Sequence, residues 1–493
     1  MTKRLLGVRL ACFVITFTCL VATQTALAQD KSIQDKAAKI DELMKTYNSY
    51  KQFNGAVLVA ENGKVIFKKG YGMANMEWNI PIETDTKFRL GSITKQFTSM
   101  LIMQLVQEGK IKLDGKLTDY LTDYRKDTGD RITIHQLLNH TSGIPSYTGL
   151  PNFFQDISRN PYTVSDFVKK YTSGDLEFEP GTKWNYNNSG YFLLGAIIER
   201  ITGKTYEQVL RERILDPVGM KNTGYDHSDT LIAKRAAGYE RRPTGFINAP
   251  YLDMSLPYAA GSLYSTVEDL YLWDQALYTD KLLSAALKET WYKPGLNNYA
   301  YGWGVRKVPM GAQDEQITVI EHGGGINGFN TLITRMPESK NLVVLLNNTG
   351  GTKLNEMSQK IAGILFNKPY KPPVRDVADA LFDVVMTKGV EAAVAQYRDL
   401  KANQKDAYDF SEGQLNSVGY RLMEAKRVKD AIEIFKLNVE MFPKRFNTYD
   451  SLGDAYAESG DKALAIENYK KSIELNPKNA PATDKLKKLE SAP

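Results

Sequence analysis

The chain predicts a mixed α/β fold in two parts. The first part would hold one antiparallel sheet flanked by helices, and the second a run of helical repeats. Three observations predict this. Runs rich in β-branched residues occur near residues 55–68 and again between 301 and 346, whereas the stretch between them reads as helices and loops. Five positions of the same character, three of them identical residues, recur 34 residues apart towards the C-terminus. A stiff stretch, Asn367-Lys368-Pro369-Tyr370-Lys371-Pro372-Pro373, separates the two patterns. At 493 residues the chain exceeds what one core usually holds.

Taken in order, residues 1–28 read as a signal peptide. Lys3, Arg4 and Arg9 precede an apolar run from Leu10 to Ala22, and Ala26-Leu27-Ala28 is a small-residue cleavage site. The run is short and broken by Thr16 and Thr18, so no membrane anchor is expected after cleavage, and a periplasmic or secreted location follows. Both cysteines, Cys12 and Cys19, would leave with this segment, and the mature chain would have neither disulfide nor thiol chemistry. Its loss also takes the formal charge of +6 to about +3. No basic run interleaved with aromatics marks a nucleic-acid partner. The four histidines, His135, His140, His227 and His322, lack metal-ligand spacing, and neither metal nor cofactor is expected.

Residues 29–366 form the expected first domain. Gly55–Ala60 and Lys64–Lys68 flank Asn62-Gly63, a hairpin signal. Ser92 to Val106 is a helix apolar on more than one side, entered through Gly91. Thr133–Leu138, Ser189–Ile201 and Ser265–Leu277 are further helices, the first capped by Thr133 and the last by Ser265 or Thr266. Tyr301–Val308, Ile317–Glu321, Asn330–Arg335 and Asn341–Leu346 are strands, and Lys353–Phe366 is a closing helix. Residues 367–375 form the linker. Within 376–493, Gly419, Leu422, Ala431, Phe435 and Pro443 recur as Gly453, Tyr456, Ala465, Tyr469 and Pro477. That is the tetratricopeptide (TPR) period, with residues 376–410 as a degenerate unit and 479–490 as a capping helix. Such repeats imply a protein or peptide partner.

Chemistry is carried by Ser92-x-x-Lys95. Three residues apart on one helix, the amine can approach the hydroxyl, and the helix start offers N–H groups to an oxyanion. A helix-capping serine and a solvated lysine would give the same pattern, so its companions decide. Tyr186-Asn187-Asn188 lies just before a helix, and His322-Gly323-Gly324-Gly325 follows a strand.

In this order the motifs resemble those of the serine β-lactamase and penicillin-binding-protein superfamily. The likeness is greatest to the class C β-lactamase-like branch with its D,D-carboxypeptidase, D-aminopeptidase and esterase relatives. His140-Thr141-Ser142-Gly143-Ile144-Pro145 and Gly261-Ser262-Leu263-Tyr264-Ser265-Thr266 also resemble segments of that branch. The resemblance spans about residues 35–366. It implies an antiparallel sheet flanked by helices plus an all-helical domain, and an acyl-enzyme on Ser92. Lys95 or Tyr186 would take the proton, and the N–H groups of Ser92 and Gly325 would form the oxyanion hole. Asn188, His322, Gly324 and Gly325 would contact a small-molecule or peptide substrate. Tyr186 could instead be packing, and Asn188 a helix cap. His140 is read as structural. His322 stands where the family has lysine, and as a group titrating near neutrality it should disfavour substrates that need a carboxylate contact. Two other readings stay open: a penicillin-sensor or ligand-binding module, and a repeat-based interaction protein whose hydrolase fold is inert.

Overall fold

A computed structural model describes residues 31–242, 245–310 and 315–491. The expected signal peptide, with Cys12 and Cys19, lies outside them. By internal contacts the chain divides into two units: residues up to 240 with 247–371, and residues 241–246 with those from 372 onward.

In the first unit the two ends of the segment meet in one sheet. The hairpin strands β1 (Gly55–Glu61) and β2 (Lys64–Tyr71) join through Asn62 and Gly63, both at positive φ, as a two-residue turn requires. β3 (Gly304–Pro309), β4 (Gln316–Ile326), β5 (Phe329–Met336) and β6 (Asn341–Asn347) supply the rest. The order is β3-β4-β5-β6-β1-β2, antiparallel throughout. β4 is longer than the expected strand and carries His322 to Gly325 within it. Tyr301 stays outside β3 because Gly302, at φ 76°, turns the chain against the Lys95 carbonyl.

Both faces of this sheet are covered, which explains why its central strands are apolar without alternation. Ala56, Leu58 and Ala60 face the core beneath the helices, with Leu342, Val344 and Leu346 of β6. Val57, Val59, Val343 and Leu345 face a second core built from a helix over residues 31–49 and α7 (Leu354–Leu365). The helix over 31–49, here α1, is not among the elements expected from the sequence. It buries Ile40, Leu43, Met44 and Tyr47.

The remaining helices lie in the large core. A 3₁₀ turn, Gly91–Ile93, leads into α2 (Thr94–Gln107), whose side chains from Thr94 to Leu105 are all buried. Phe97 stacks on Trp273 of α6 (Val267–Ala276) with ring centres 4.4 Å apart. α3 (Ile134–Leu138) starts at a capping box made by Thr133 and Gln136. α4 (Asn188–Thr202) begins one residue earlier than expected, because Asn187 caps it by accepting from Gly190 N–H. α5 (Tyr258–Gly261) is a short turn packed between α2 and α4.

The second unit holds α8 (Val377–Lys388), α9 (Val390–Asn403), α10 (Glu412–Glu424), α11 (Val428–Met441), α12 (Phe446–Ser459), α13 (Lys462–Leu475) and α14 (Ala480–Ser491). Its 34-residue repeat has a steric cause. A Cβ on Gly419 would lie 2.3 Å from the Phe435 ring, and one on Gly453 would lie 2.7 Å from Tyr469. Each glycine lets an aromatic ring seat directly on the neighbouring helix. Gly453→Leu is therefore expected to destabilise this unit by about 1–3 kcal/mol through overpacking. Urea unfolding followed by circular dichroism checks this, and an unchanged midpoint would contradict it.

Candidate active site

The site lies where α2, α4, α5 and β4 converge. Ser92 sits in the 3₁₀ turn and does not cap the helix: no side chain caps either the turn or α2. Its hydroxyl is instead 3.0 Å from Lys95 Nζ. Lys95 is fully buried, and Nζ has two further neighbours, Asn188 Oδ1 at 2.8 Å and the Ala260 carbonyl at 2.8 Å. Burial drives its proton affinity well below that of an ordinary lysine. The three neighbours differ in kind. Asn188 Oδ1 and the Ala260 carbonyl can only accept, whereas Ser92 can donate. A neutral amine satisfies all three by giving its two N–H bonds to the pure acceptors and turning its lone pair to the Ser92 O–H.

Asn188 is free for this task because Asn187 does the capping. Its amide nitrogen also donates to Thr148 Oγ1 at 3.2 Å, and its backbone N–H to Ser146. The ring of Tyr186 lies beside Lys95, with Nζ 4.8 Å from the ring centre. Tyr186 Oη is buried and, among the described residues, makes no hydrogen bond of good geometry. Burial raises the phenol's proton affinity, and the nearby Ser92 hydroxyl offsets part of that rise. Of the two candidate bases, burial prepares Lys95 and works against Tyr186. The cause is the opposite charge of their ionised forms, since desolvation favours the neutral amine and the neutral phenol alike.

β4 closes the other side. A Cβ on Gly91 would lie 3.0 Å from Gly325 N, and Gly91 itself is at φ 55°. The backbone of Gly325 thus runs alongside the nucleophile turn. Gly324 has a different task. A Cβ there would lie 1.8 Å from the Leu90 carbonyl oxygen, and Thr331 Oγ1 of β5 donates to that same oxygen. Gly324 lets the sheet press on the turn and does not line the cavity.

His322 is buried and also stands outside the cavity lining. Its Nδ1 is 2.6 Å from the Gly323 carbonyl, an acceptor, so that nitrogen carries the proton. Nε2 then accepts from Tyr299 Oη at 2.9 Å. Burial first and Lys95 second push its pKa down to about 4. The expected titration near neutrality is therefore corrected: His322 is a neutral imidazole from about pH 5 upward. Tyr299 belongs to no sequence motif and had no signal that could find it.

A cavity of about 350 Å³ opens over Ser92, Asn188 and Gly325. Tyr147, Phe153, Phe154, Leu252, Ile326 and Phe329 give it apolar walls, and among the described residues Glu240 is its only charged lining residue. Among the described residues, no group of three or more His, Cys, Asp or Glu side chains is placed to hold a metal ion. None of their helices is long and apolar enough to cross a membrane.

The sequence matches the Beta-lactamase family over residues 37–381 and a Tetratricopeptide repeat over residues 446–479. It is 32% identical over 373 residues to Penicillin-binding protein 4* of Bacillus subtilis, covering 69% of this chain and 79% of that protein. A penicillin binding protein from Bacillus halodurans superposes with a TM-score of 0.58 at 29% identity, covering 65% of this chain and 98% of the other. The D-amino acid amidase from Ochrobactrum anthropi, solved with D-phenylalanine, superposes with a TM-score of 0.57 at 25% identity, covering 69% and 99%.

The geometry around Nζ yields a signed pH effect. A carboxylate in place of the Asn188 amide would favour the ammonium form of Lys95. If the neutral amine is the working form, Asn188→Asp moves the acid limb of the pH–rate profile up by about one unit or more and lowers the rate at pH 7. An unshifted acid limb in that variant would contradict the assignment.

Proposed function

The chain belongs to the beta-lactamase family, and from that premise we propose that it is a serine hydrolase that cleaves amides or esters through an acyl-enzyme on Ser92. The observation that carries the reading is the set of contacts around Lys95 Nζ. Ser92 Oγ attacks the carbonyl carbon while its proton passes to the Lys95 lone pair. The oxyanion so formed is stabilised by the N–H groups of Ser92 and Gly325, which the close approach of Gly91 to Gly325 supports. Collapse of the tetrahedral adduct breaks the bond to the leaving amine or alkoxide, which takes the proton from Lys95 through the Tyr186 hydroxyl. Water then attacks the acyl carbon and gives its proton to the same Lys95–Tyr186 pair. Ser92 leaves with that proton, and the acid product departs.

The cavity supports a narrower choice of substrate. Among the described residues, no lysine, arginine or histidine lines it, and its walls are aromatic and aliphatic. A substrate with an apolar group next to the scissile carbonyl, and without a required carboxylate contact, fits those walls best. Small esters, amides and D-amino-acid peptides meet that description, and β-lactams, which carry a carboxylate, meet it poorly. The structural likeness to a D-amino acid amidase favours the amide members of this set. Export is part of the proposal and rests on residues 1–28. The TPR repeats are proposed to bind a protein or peptide partner.

Two measurements test this reading. Ser92→Ala should keep its fold, lose labelling by a fluorescent acylating probe, and lose at least about 10³-fold in kcat. Retention of most activity would sink the mechanism. For a matched neutral and anionic ester pair, kcat/KM should favour the neutral member, with a ratio that stays flat between pH 5 and 8. His322 is neutral throughout that range, so a ratio that falls or rises through it would show another group reading the charge.

A further inference from the structure

His140 is not among the residues given a role above, yet it touches the Tyr186 segment on both sides. Its backbone carbonyl accepts from Asn185 N–H at 3.0 Å. Its Nδ1 accepts from Asn187 N–H at 3.1 Å. The residue before Tyr186 and the residue after it are thus both tied to one histidine. The ring lies 4.4 Å from that of Tyr186 and 4.5 Å from that of Tyr299, centre to centre. The residue is 1% exposed.

The chemistry of this contact is restrictive. Asn187 N–H can only donate, so Nδ1 must present a lone pair and Nε2 must carry the proton. Among the described residues Nε2 makes no hydrogen bond, and the imidazole ring packs against the rings of Trp184, Tyr186, Tyr191 and Tyr299. A protonated ring would set a donor against the Asn187 N–H. Burial first, with the nearby Lys95 and His322 acting in the same direction, pushes the imidazole's proton affinity well below its usual range. The backbone also constrains the position: His140 is at φ 64°, a region that histidine and asparagine enter more readily than most residues.

We propose that His140 is a positioning residue for Tyr186, whose acceptor at Nδ1 and carbonyl together fix the backbone on either side of the phenol so that Oη is held over Ser92 and Lys95. This rests on the reading that Tyr186 relays a proton in the reaction. The segment after His140 extends the same template. Asn187 Nδ2 donates to the Ile144 carbonyl, Ser189 Oγ donates to the Pro145 carbonyl at 2.8 Å, and Ser146 Oγ accepts from Asn188 N–H at 3.2 Å. Through the loop that starts at His140, Tyr186 and Asn188 are held to one surface.

Two substitutions separate an acceptor from a packing role. In His140→Asn the side-chain oxygen can take the place of Nδ1, at the same number of bonds from the backbone, and the residue tolerates the positive φ. In His140→Phe the ring volume stays and the acceptor is lost. Hydrolysis of a neutral p-nitrophenyl ester is measured for both, with near-ultraviolet circular dichroism to confirm the fold. His140→Phe should lose about 100-fold in kcat with KM little changed, as expected of a misplaced reacting group. His140→Asn should stay within about tenfold of the unaltered protein. A packing role predicts the reverse order, because phenylalanine fills the site and asparagine does not, and that order would overturn the proposal. If His140→Phe does not fold, His140→Gln takes its place: its oxygen sits one bond further out, and it should fall below His140→Asn in kcat. Tyr186→Phe is the control. Full activity there would remove the relay reading and this inference together. Loss of activity there, with His140→Phe unaffected, would remove the inference alone.

Discussion

A lysine amine held out of water between two carbonyl-type oxygens and one hydroxyl is the constraint on which the site depends. Lys95 is on a helix buried from Thr94 to Leu105, and Nζ meets Asn188 from α4, Ala260 from α5 and Ser92 from its own helical segment. A charge there would be costly, because burial favours the neutral form. Each contact needs a different element to arrive at the right place. Asn187 must take over the capping of α4 so that Asn188 can point inward. Gly302 must approach the Lys95 carbonyl, where a Cβ would sit 2.8 Å from the oxygen. The large aromatic core between α2 and α6 fixes the helix that carries both Ser92 and Lys95.

The sheet supplies the other half of the constraint. Its strands come from both ends of the first unit, so β4 lies across the nucleophile turn rather than beside it in sequence. Close approach is possible because Gly91 and Gly324 have no side chains to hold the backbones apart. Gly324 and Thr331 lock β4 and β5 onto the Leu90 carbonyl, leaving Gly325 next to the space where a substrate carbonyl would sit.

Much of this was legible in the residues, and the remainder fails for identifiable reasons. The change from period-two runs to helices and back predicts a sheet shared between both ends, and the 34-residue recurrence predicts the helical repeats. Ser92 and Lys95 are legible as neighbours because a three-residue spacing fixes them on one helical face. Ala260 and Tyr299 are not, since one acts through a backbone carbonyl and the other through a contact with His322 that no spacing encodes. The proton affinities of Tyr186 and His322 were also beyond the sequence, because burial and the nearby amine set them. Gly324 and Gly325 look alike in a run of three glycines, and only the packing assigns them different tasks. The grouping of residues 241–246 with the repeats has no sequence signal either.

The central claim is that Lys95 is a neutral amine at working pH, and nuclear magnetic resonance can read it directly. With ¹³C-labelled lysine in the full chain, the Lys95 Cε signal is assigned as the one lost in Lys95→Met and followed from pH 5 to 11. The account predicts one lysine whose titration lies well below the others and which is uncharged at neutral pH. A Lys95 signal that titrates with the exposed lysines would show an ammonium beside Ser92 and contradict the account.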